Sequence, residues 1–160
     1  GVAGAVSPKV SIGDIVVATK SVEHDMNTTA LGDKQGEVSF PSGTVIYFDC
    51  DKRVSDILYN VCNEIPETRV EQGVIASGDI FISERKSRIN LNETFDALAC
   101  EMEGGAIAHA CCMNRVPCAI LRAISDGADD GATLSYQEFA EIAANQSVRA
   151  LLHFIKTSLA

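Results

Sequence analysis

The sequence predicts an α/β fold, a single domain with a mainly parallel central mixed sheet flanked by helices. Three observations carry that expectation. Short β-branched runs alternate with amphipathic helical stretches along the chain. Residues 118–125 are almost continuously apolar, as in a parallel strand buried on both faces. No internal repeat or linker breaks the order, so residues 1–160 read as one unit, long enough to bury a sizeable core.

The chain opens Gly1-Val2-Ala3-Gly4-Ala5-Val6, a small, apolar run that reads as the end of a buried strand turning into a glycine loop. Lacking an initiator methionine, it is expected to be N-terminally truncated. Residues 15–22, after Gly13-Asp14, and residues 44–48 read as strands. Between them, residues 24–43 carry Gly32, Gly36, Pro41 and Gly43 with little periodicity, and a loop of that length points to a lid or a partner contact. Asp51 can cap a helix whose apolar positions Val54, Ile57, Leu58, Val61, Cys62 and Ile65 recur at helical spacing until Pro66 stops it.

Residues 69–77 form the next expected strand and residues 97–100 a short one. Residues 104–115 then read as a helix with Ala106, Ile107, Ala110 and Cys111 on one face, ending before Val116-Pro117. The strand at 118–125 is interrupted only by Arg122. Ser135 with Glu138 reads as a capping box opening a long helix with Phe139, Ile142, Val148, Leu151, Leu152, Ile155 and Leu159 as its apolar face.

Composition narrows the function. A formal charge of −9 and an isoelectric point near 4.7 argue against nucleic-acid binding, which needs clustered Lys and Arg. No run approaches the roughly 18 to 20 apolar residues that span a bilayer, and no secretory pattern opens the chain, so a cytoplasmic protein without membrane contact is expected. The six cysteines (Cys50, Cys62, Cys100, Cys111, Cys112 and Cys118) lie in apolar surroundings and read as buried free thiols. Cys111, Cys112 and Cys118, with only His109 near them, lack paired C-x-x-C spacing, so no metal site and no cofactor is expected.

Ligands of open α/β sheets bind beyond the carboxyl ends of strands. Three clusters sit there: Ser77-Gly78-Asp79-Ile80-Phe81-Ile82, Glu101-Met102-Glu103 and Ser125-Asp126. Glu101 and Glu103, two apart, would point the same way in an extended stretch, and Arg122 is the natural partner for such carboxylates. That pair either fixes strand order alone or leaves one carboxylate free to accept hydrogen bonds from vicinal hydroxyls. Asp126, between Ile124-Ser125 and Gly127-Ala128, is either a turn residue or a carboxyl in a setting apolar enough to retain a proton as a general acid.

The stretches Cys100-Glu101-Met102-Glu103-Gly104-Gly105-Ala106-Ile107-Ala108 and Arg122-Ala123-Ile124-Ser125-Asp126-Gly127-Ala128-Asp129 resemble the purine nucleoside phosphorylase and nucleosidase superfamily. The nearest likeness is to its bacterial 5′-methylthioadenosine/S-adenosylhomocysteine nucleosidases. Gly1-Val2-Ala3-Gly4, residues 13–17, Ser77-Gly78-Asp79 with Phe81-Ile82, and residues 134–139 extend the likeness in order along the chain. The resemblance implies hydrolysis of the N-glycosidic bond, with Asp126 protonating the purine N7, Ser125 positioning it, and Glu103 beside Met102 holding the ribose hydroxyls. It further implies that Phe81 stacks on adenine, the Ile82 backbone reads the base edge, Ala3 and Gly4 line the sugar side, Arg122 supports the carboxylates including Glu101, and Tyr136 closes over the 5′ substituent.

A homodimer is implied too, residues 28–31 of one subunit covering the 5′ side of the other's substrate. The acid that activates water in this family lies ahead of the glycine loop, so it is expected upstream of Gly1. Two other readings stand beside hydrolysis. Phosphorolysis is one, disfavoured by Val2, which offers no hydroxyl where related phosphorylases place one. A non-catalytic nucleoside-binding module is the other.

Overall fold

The computed structural model of the chain describes residues 1–127 and 132–158. The strands are β1 (Val2–Ala5), β2 (Ile15–Glu23), β3 (Val38–Phe40), β4 (Gly43–Val45), β5 (Phe48–Asp49), β6 (Val70–Ser77), β7 (Ala97–Glu101) and β8 (Leu121–Asp126); the helices are α1 (Lys52–Asn63), α2 (Arg85–Phe95), α3 (Gly104–Asn114) and α4 (Ala132–Ser158). The main sheet has the order β5-β2-β6-β7-β1-β8, and β3 with β4 makes a separate hairpin. A further pairing of β2 with β8 closes β2, β6, β7, β1 and β8 into a ring. Parallel pairing joins β2 to β6, β6 to β7 and β1 to β8, and the first of these alone runs over eight registered pairs. Antiparallel pairing joins β1 to β7, β2 to β5 and β2 to β8.

β2 shows why its sequence is continuously apolar. Val16 and Ala18 pack with Phe48, Ile75, Leu98 and Ile124, while Ile15 and Val17, pointing the other way, pack with Leu58 and Cys62 of α1 and Ala143 and Ala150 of α4. Both faces are core, so strict alternation with polar residues is absent. A third cluster, holding Val22, Ala76, Leu91, Phe95 and Cys100, seats α2. At α1 the Asp51 carboxylate accepts from the Val54 N–H at 2.9 Å, the expected N-cap.

Several expected elements differ. Residues 44–48 do not make one strand: Gly43–Val45 pairs with β3, whereas Phe48–Asp49 turns onto the outer half of β2. α3 buries Gly104, Gly105 and Ala108, leaving Ala106, Ile107 and Ala110 exposed. Small residues are selected there by close approach, since a Cβ on Gly105 would lie 2.7 Å from the Ser77 Cβ. α4 likewise packs through Ala143, Ser147 and Ala150, with Ile142, Val148, Leu151, Leu152 and Ile155 exposed; Leu159 lies outside the described residues. α4 begins at Ala132, so Ser135 falls inside it and not at its cap. All six cysteines are free, but Cys112 is exposed and Cys111 and Cys118 are half-buried. No described helix is long and apolar enough to cross a membrane.

His24, just past β2, is buried, and among the described residues its Nε2 has no hydrogen-bond partner. Burial is the main cause lowering its pKa from the ordinary value, outweighing the neighbouring Asp25 carboxylate. The fold therefore holds the neutral ring, and below about pH 6.5 the unfolded chain takes up the proton more readily. Stability is expected to fall as pH drops from 7.5 to 5.5, and to fall less in His24→Gln. Urea midpoints at the two pH values check this; equal acid losses in both proteins would remove His24 as a cause.

Candidate active site

Gly4 is the meeting point of the site. In register it faces Cys100 of β7 on one side and Asp126 of β8 on the other, with an irregularity in the β1–β8 ladder between Ala3 and Gly4. Since β1 runs parallel to β8 and antiparallel to β7, the carboxyl ends of β7 and β8 point in opposite senses and overlap at this level. A Cβ on Gly4 would lie 2.6 Å from Asp126 Oδ2 and 2.9 Å from Arg88 Nη1, so only glycine admits the groups behind it.

A cleft of about 370 Å³ opens here, within the size range of small-molecule sites. β1 contributes Val2, Ala3 and Gly4, with Gly1 before it; β7 and the turn after it contribute Cys100, Glu101, Met102 and Glu103; β8 contributes Ser125 and Asp126; Phe81, with Tyr136 and Ala144 of α4, forms the remaining wall. The two rings meet edge to face, centroids 5.7 Å apart. Ile82 lines a smaller adjoining hollow with Phe81, Arg88 and Asp126. A hollow of about 330 Å³ between the ends of α1 and α4 is lined by Glu64, Arg149, His153 and Lys156. There the Glu64 carboxylate is taken by His153 at 2.9 Å, and no buried polar group converges on the space.

The two carboxylates after β7 have separate surroundings. Glu101 is buried; it receives the Glu103 N–H at 3.2 Å, the Gly104 N–H at 2.8 Å, the Arg122 Nε at 2.9 Å and a second, shorter contact from Arg122 Nη2. It thus caps the N-terminus of α3 and neutralises Arg122 at once. Glu103 approaches the same arginine from outside: it precedes α3 with a non-extended backbone, its side chain is 69% exposed, and Arg122 Nη2 stands 3.7 Å away. Its carboxylate is therefore open on the cleft side.

Asp126 is buried, but its setting is not the apolar one expected. The Ser125 hydroxyl donates to Oδ1 at 2.8 Å and Arg88 Nη2 to Oδ2 at 2.5 Å. Arg88, from α2, is the residue that sequence reasoning missed, together with α2 itself. Its signal is an arginine at the spacing of the buried positions Leu91 and Phe95. Cys100 adds no second nucleophile, because burial, the largest cause, pushes its thiol up to about 12.

The segment bearing Phe81 is pinned from both sides. The Asp79 N–H donates to the Asp25 carboxylate at 2.7 Å, the Gly78 N–H to the Glu101 carbonyl at 3.2 Å, and Arg88 Nε to the Ile82 carbonyl at 2.9 Å. The Ser77-Gly78-Asp79 cluster is thus scaffold, and Phe81 is what it presents. Of the residues singled out in the sequence, Ala3, Gly4, Phe81, Glu101, Met102, Glu103, Ser125, Asp126 and Tyr136 share the cleft, Ile82 adjoins it, and Arg122 stands behind Glu101. Ala128 and Asp129 lie outside the described residues. No group of three metal-ligating side chains occurs among the described residues.

A ring of strands with a buried carboxyl, an open carboxylate and an exposed aromatic pair around one cleft defines an α/β protein with a pocket of small-molecule size. The chain belongs to the phosphorylase superfamily, whose family model matches residues 1–156. It is 39% identical over 149 residues to an aminodeoxyfutalosine nucleosidase of Campylobacter jejuni, covering 91% of this chain and 63% of the relative. It is 34% identical to a 5′-methylthioadenosine/S-adenosylhomocysteine nucleosidase of an Exiguobacterium species, covering 98% and 66%.

Among solved structures, the Helicobacter pylori 5′-methylthioadenosine/S-adenosylhomocysteine nucleosidase superposes with a TM-score of 0.89 at 34% identity, again over 98% of this chain and 66% of that one. That structure holds an aminopyrrolopyrimidine linked through a methylene to a pyrrolidinol with a propynylthiomethyl arm. The chain spans just under two thirds of the length of these relatives.

Proposed function

We propose that the protein is an N-glycosyl hydrolase that releases adenine from 5′-methylthioadenosine and S-adenosylhomocysteine. The observation that carries the reading is the shared cleft in which buried Asp126, open Glu103 and exposed Phe81 converge. Phe81 supplies a face for the base, Glu103 accepts from the ribose hydroxyls, and Asp126 with Ser125 stands where a base nitrogen would be protonated. The C1′–N9 pair of electrons leaves with the base, N7 takes the proton of Asp126, and water adds to the oxocarbenium-like sugar and gives up a proton to solvent, from which Asp126 is reprotonated. The apolar surfaces of Val2, Met102 and Tyr136 suit an apolar 5′ arm such as that of the H. pylori inhibitor.

Water is favoured over phosphate as acceptor. Among the described residues lining the cleft there is no Lys, Arg or His side chain, and Arg88 and Arg122 beside it are both committed to carboxylates. Val2 occupies the glycine-loop position without a hydroxyl. A second substrate, aminodeoxyfutalosine, is favoured by the 39% identical relative; it too would present its base to Phe81 and Asp126. The same reading makes the protein a cytoplasmic homodimer in which residues 28–31, with Leu31 83% exposed, cover the partner's 5′ side.

The test is adenine release from each of the three nucleosides by the protein as its gene encodes it, in buffer with and without phosphate. Turnover in phosphate-free buffer is expected. Strict dependence on phosphate would overturn hydrolysis, and binding without turnover would support a nucleoside-binding module instead. The ratio of kcat/KM values ranks the substrates.

A further inference from the structure

The Arg88 side chain is about 1% exposed and makes four hydrogen bonds: Nε to the Ile82 carbonyl at 2.9 Å, Nη1 to the Ala5 carbonyl at 2.8 Å and the Gly127 carbonyl at 2.5 Å, and Nη2 to Asp126 Oδ2 at 2.5 Å. These acceptors belong to the segment beside Phe81, to β1 and to the exit of β8. One guanidinium therefore ties three walls of the base end of the cleft to the carboxyl of Asp126. The other oxygen has a different partner. Among the described residues Oδ1 accepts the Ser125 hydroxyl alone, and that hydroxyl has a second acceptor, the Ala3 carbonyl, at 3.3 Å.

Resting on the nucleosidase reading above, we propose that Arg88 is the positioning residue of the general acid. It locks Oδ2 and the Ile82 backbone in one frame, so that Oδ1, freed when the Ser125 hydroxyl turns to Ala3, is the oxygen presented to the purine. The planar fork matters as much as the charge. A lysine at this position carries the cation but cannot span the Ile82, Ala5 and Asp126 acceptors in fixed directions. Gly4 belongs to the same device, because any side chain there meets both members of the pair.

The test uses Arg88→Lys and Arg88→Gln in the protein as encoded, with steady-state kinetics on 5′-methylthioadenosine. Misplacing a catalytic group by the order of 1 Å costs about 100-fold, so Arg88→Gln is expected to lose roughly that in kcat and Arg88→Lys about tenfold, with KM moving less than either. A merely structural arginine would cost stability and leave the kcat of the folded protein intact.

The readout that a structural role would not give is a kcat loss in the folded protein at nearly unchanged KM, partly restored in Arg88→Lys relative to Arg88→Gln. Folded variants with wild-type kcat would overturn the proposal while leaving the nucleosidase reading intact. Failure of both variants to fold would also overturn it, making Arg88 a structural plug. Wild-type protein that releases no adenine overturns the reading and the proposal together.

Discussion

Asp126→Asn is expected to lower kcat for adenine release by about three orders of magnitude, within the range that positioned acid catalysis contributes. An amide has no proton to give N7, so the base must depart as a poor anionic leaving group. Shape is nearly conserved, and the amide oxygen can still accept one of the two donors that Asp126 holds, Arg88 Nη2 or the Ser125 hydroxyl. Charge is not conserved. The Arg88 guanidinium keeps its three carbonyl acceptors but loses its counter-ion in a site about 1% exposed, and breaking a buried pair costs about 3 to 5 kcal/mol when one charge is left alone.

The variant should therefore be folded at 25 °C but melt earlier than the wild type. Its turnover has to be read well below its own unfolding midpoint, with nucleoside binding measured beside it. A folded Asp126→Asn protein with kcat within tenfold of wild type would remove Asp126 from the acid role.

The structure also shows which parts of this site a sequence can display. Asp51, with apolar residues recurring behind it, announces α1 because a cap and a stripe are local features. The three polar clusters are visible because each ends an apolar run. The faces of α3 and α4 are not visible in that way: helical spacing favours Ile107 or Leu151, whereas the contact surfaces are Gly104, Gly105, Ala108 and Ala143, Ser147, Ala150. Where a helix lies close against strands, the small side chains face inward, and the large ones mark the opposite side.

Residues 44–48 are misread as one strand for a related reason. Their β propensity is real, but one end joins β3 across a two-residue turn and the other joins β2 further back in the chain, a division that propensity does not display. Arg88 carries no motif. Its importance comes from three carbonyls and one carboxylate contributed by residues 5, 82, 126 and 127, a combination that only the closed fold assembles. The contrast between Arg88 and Arg122 follows from position. Arg122 interrupts an apolar strand and so invites the question of its partner, while Arg88 sits in a polar helix and invites none.

The second large effect concerns that visible arginine and stability, and it is expected to be asymmetric. Arg122→Met leaves Glu101, whose side chain is 2% exposed, with the backbone amides of Glu103 and Gly104 as its only donors among the described residues. Those amides and the N-terminal end of α3 soften the loss, so the cost should lie near the low end for a broken buried pair, about 3 kcal/mol. Glu101→Gln should cost less. Arg122 is 12% exposed, and its Nη2 already stands 3.7 Å from Glu103, which can take over as counter-ion. That rescue has a functional price, since it draws Glu103 away from the ribose side of the cleft and should raise KM for the nucleoside. Urea unfolding midpoints of the two variants, with KM for Glu101→Gln, check the argument. Equal destabilisation would show that Glu103 offers Arg122 no alternative partner, and Glu103 would then be free of the arginine altogether.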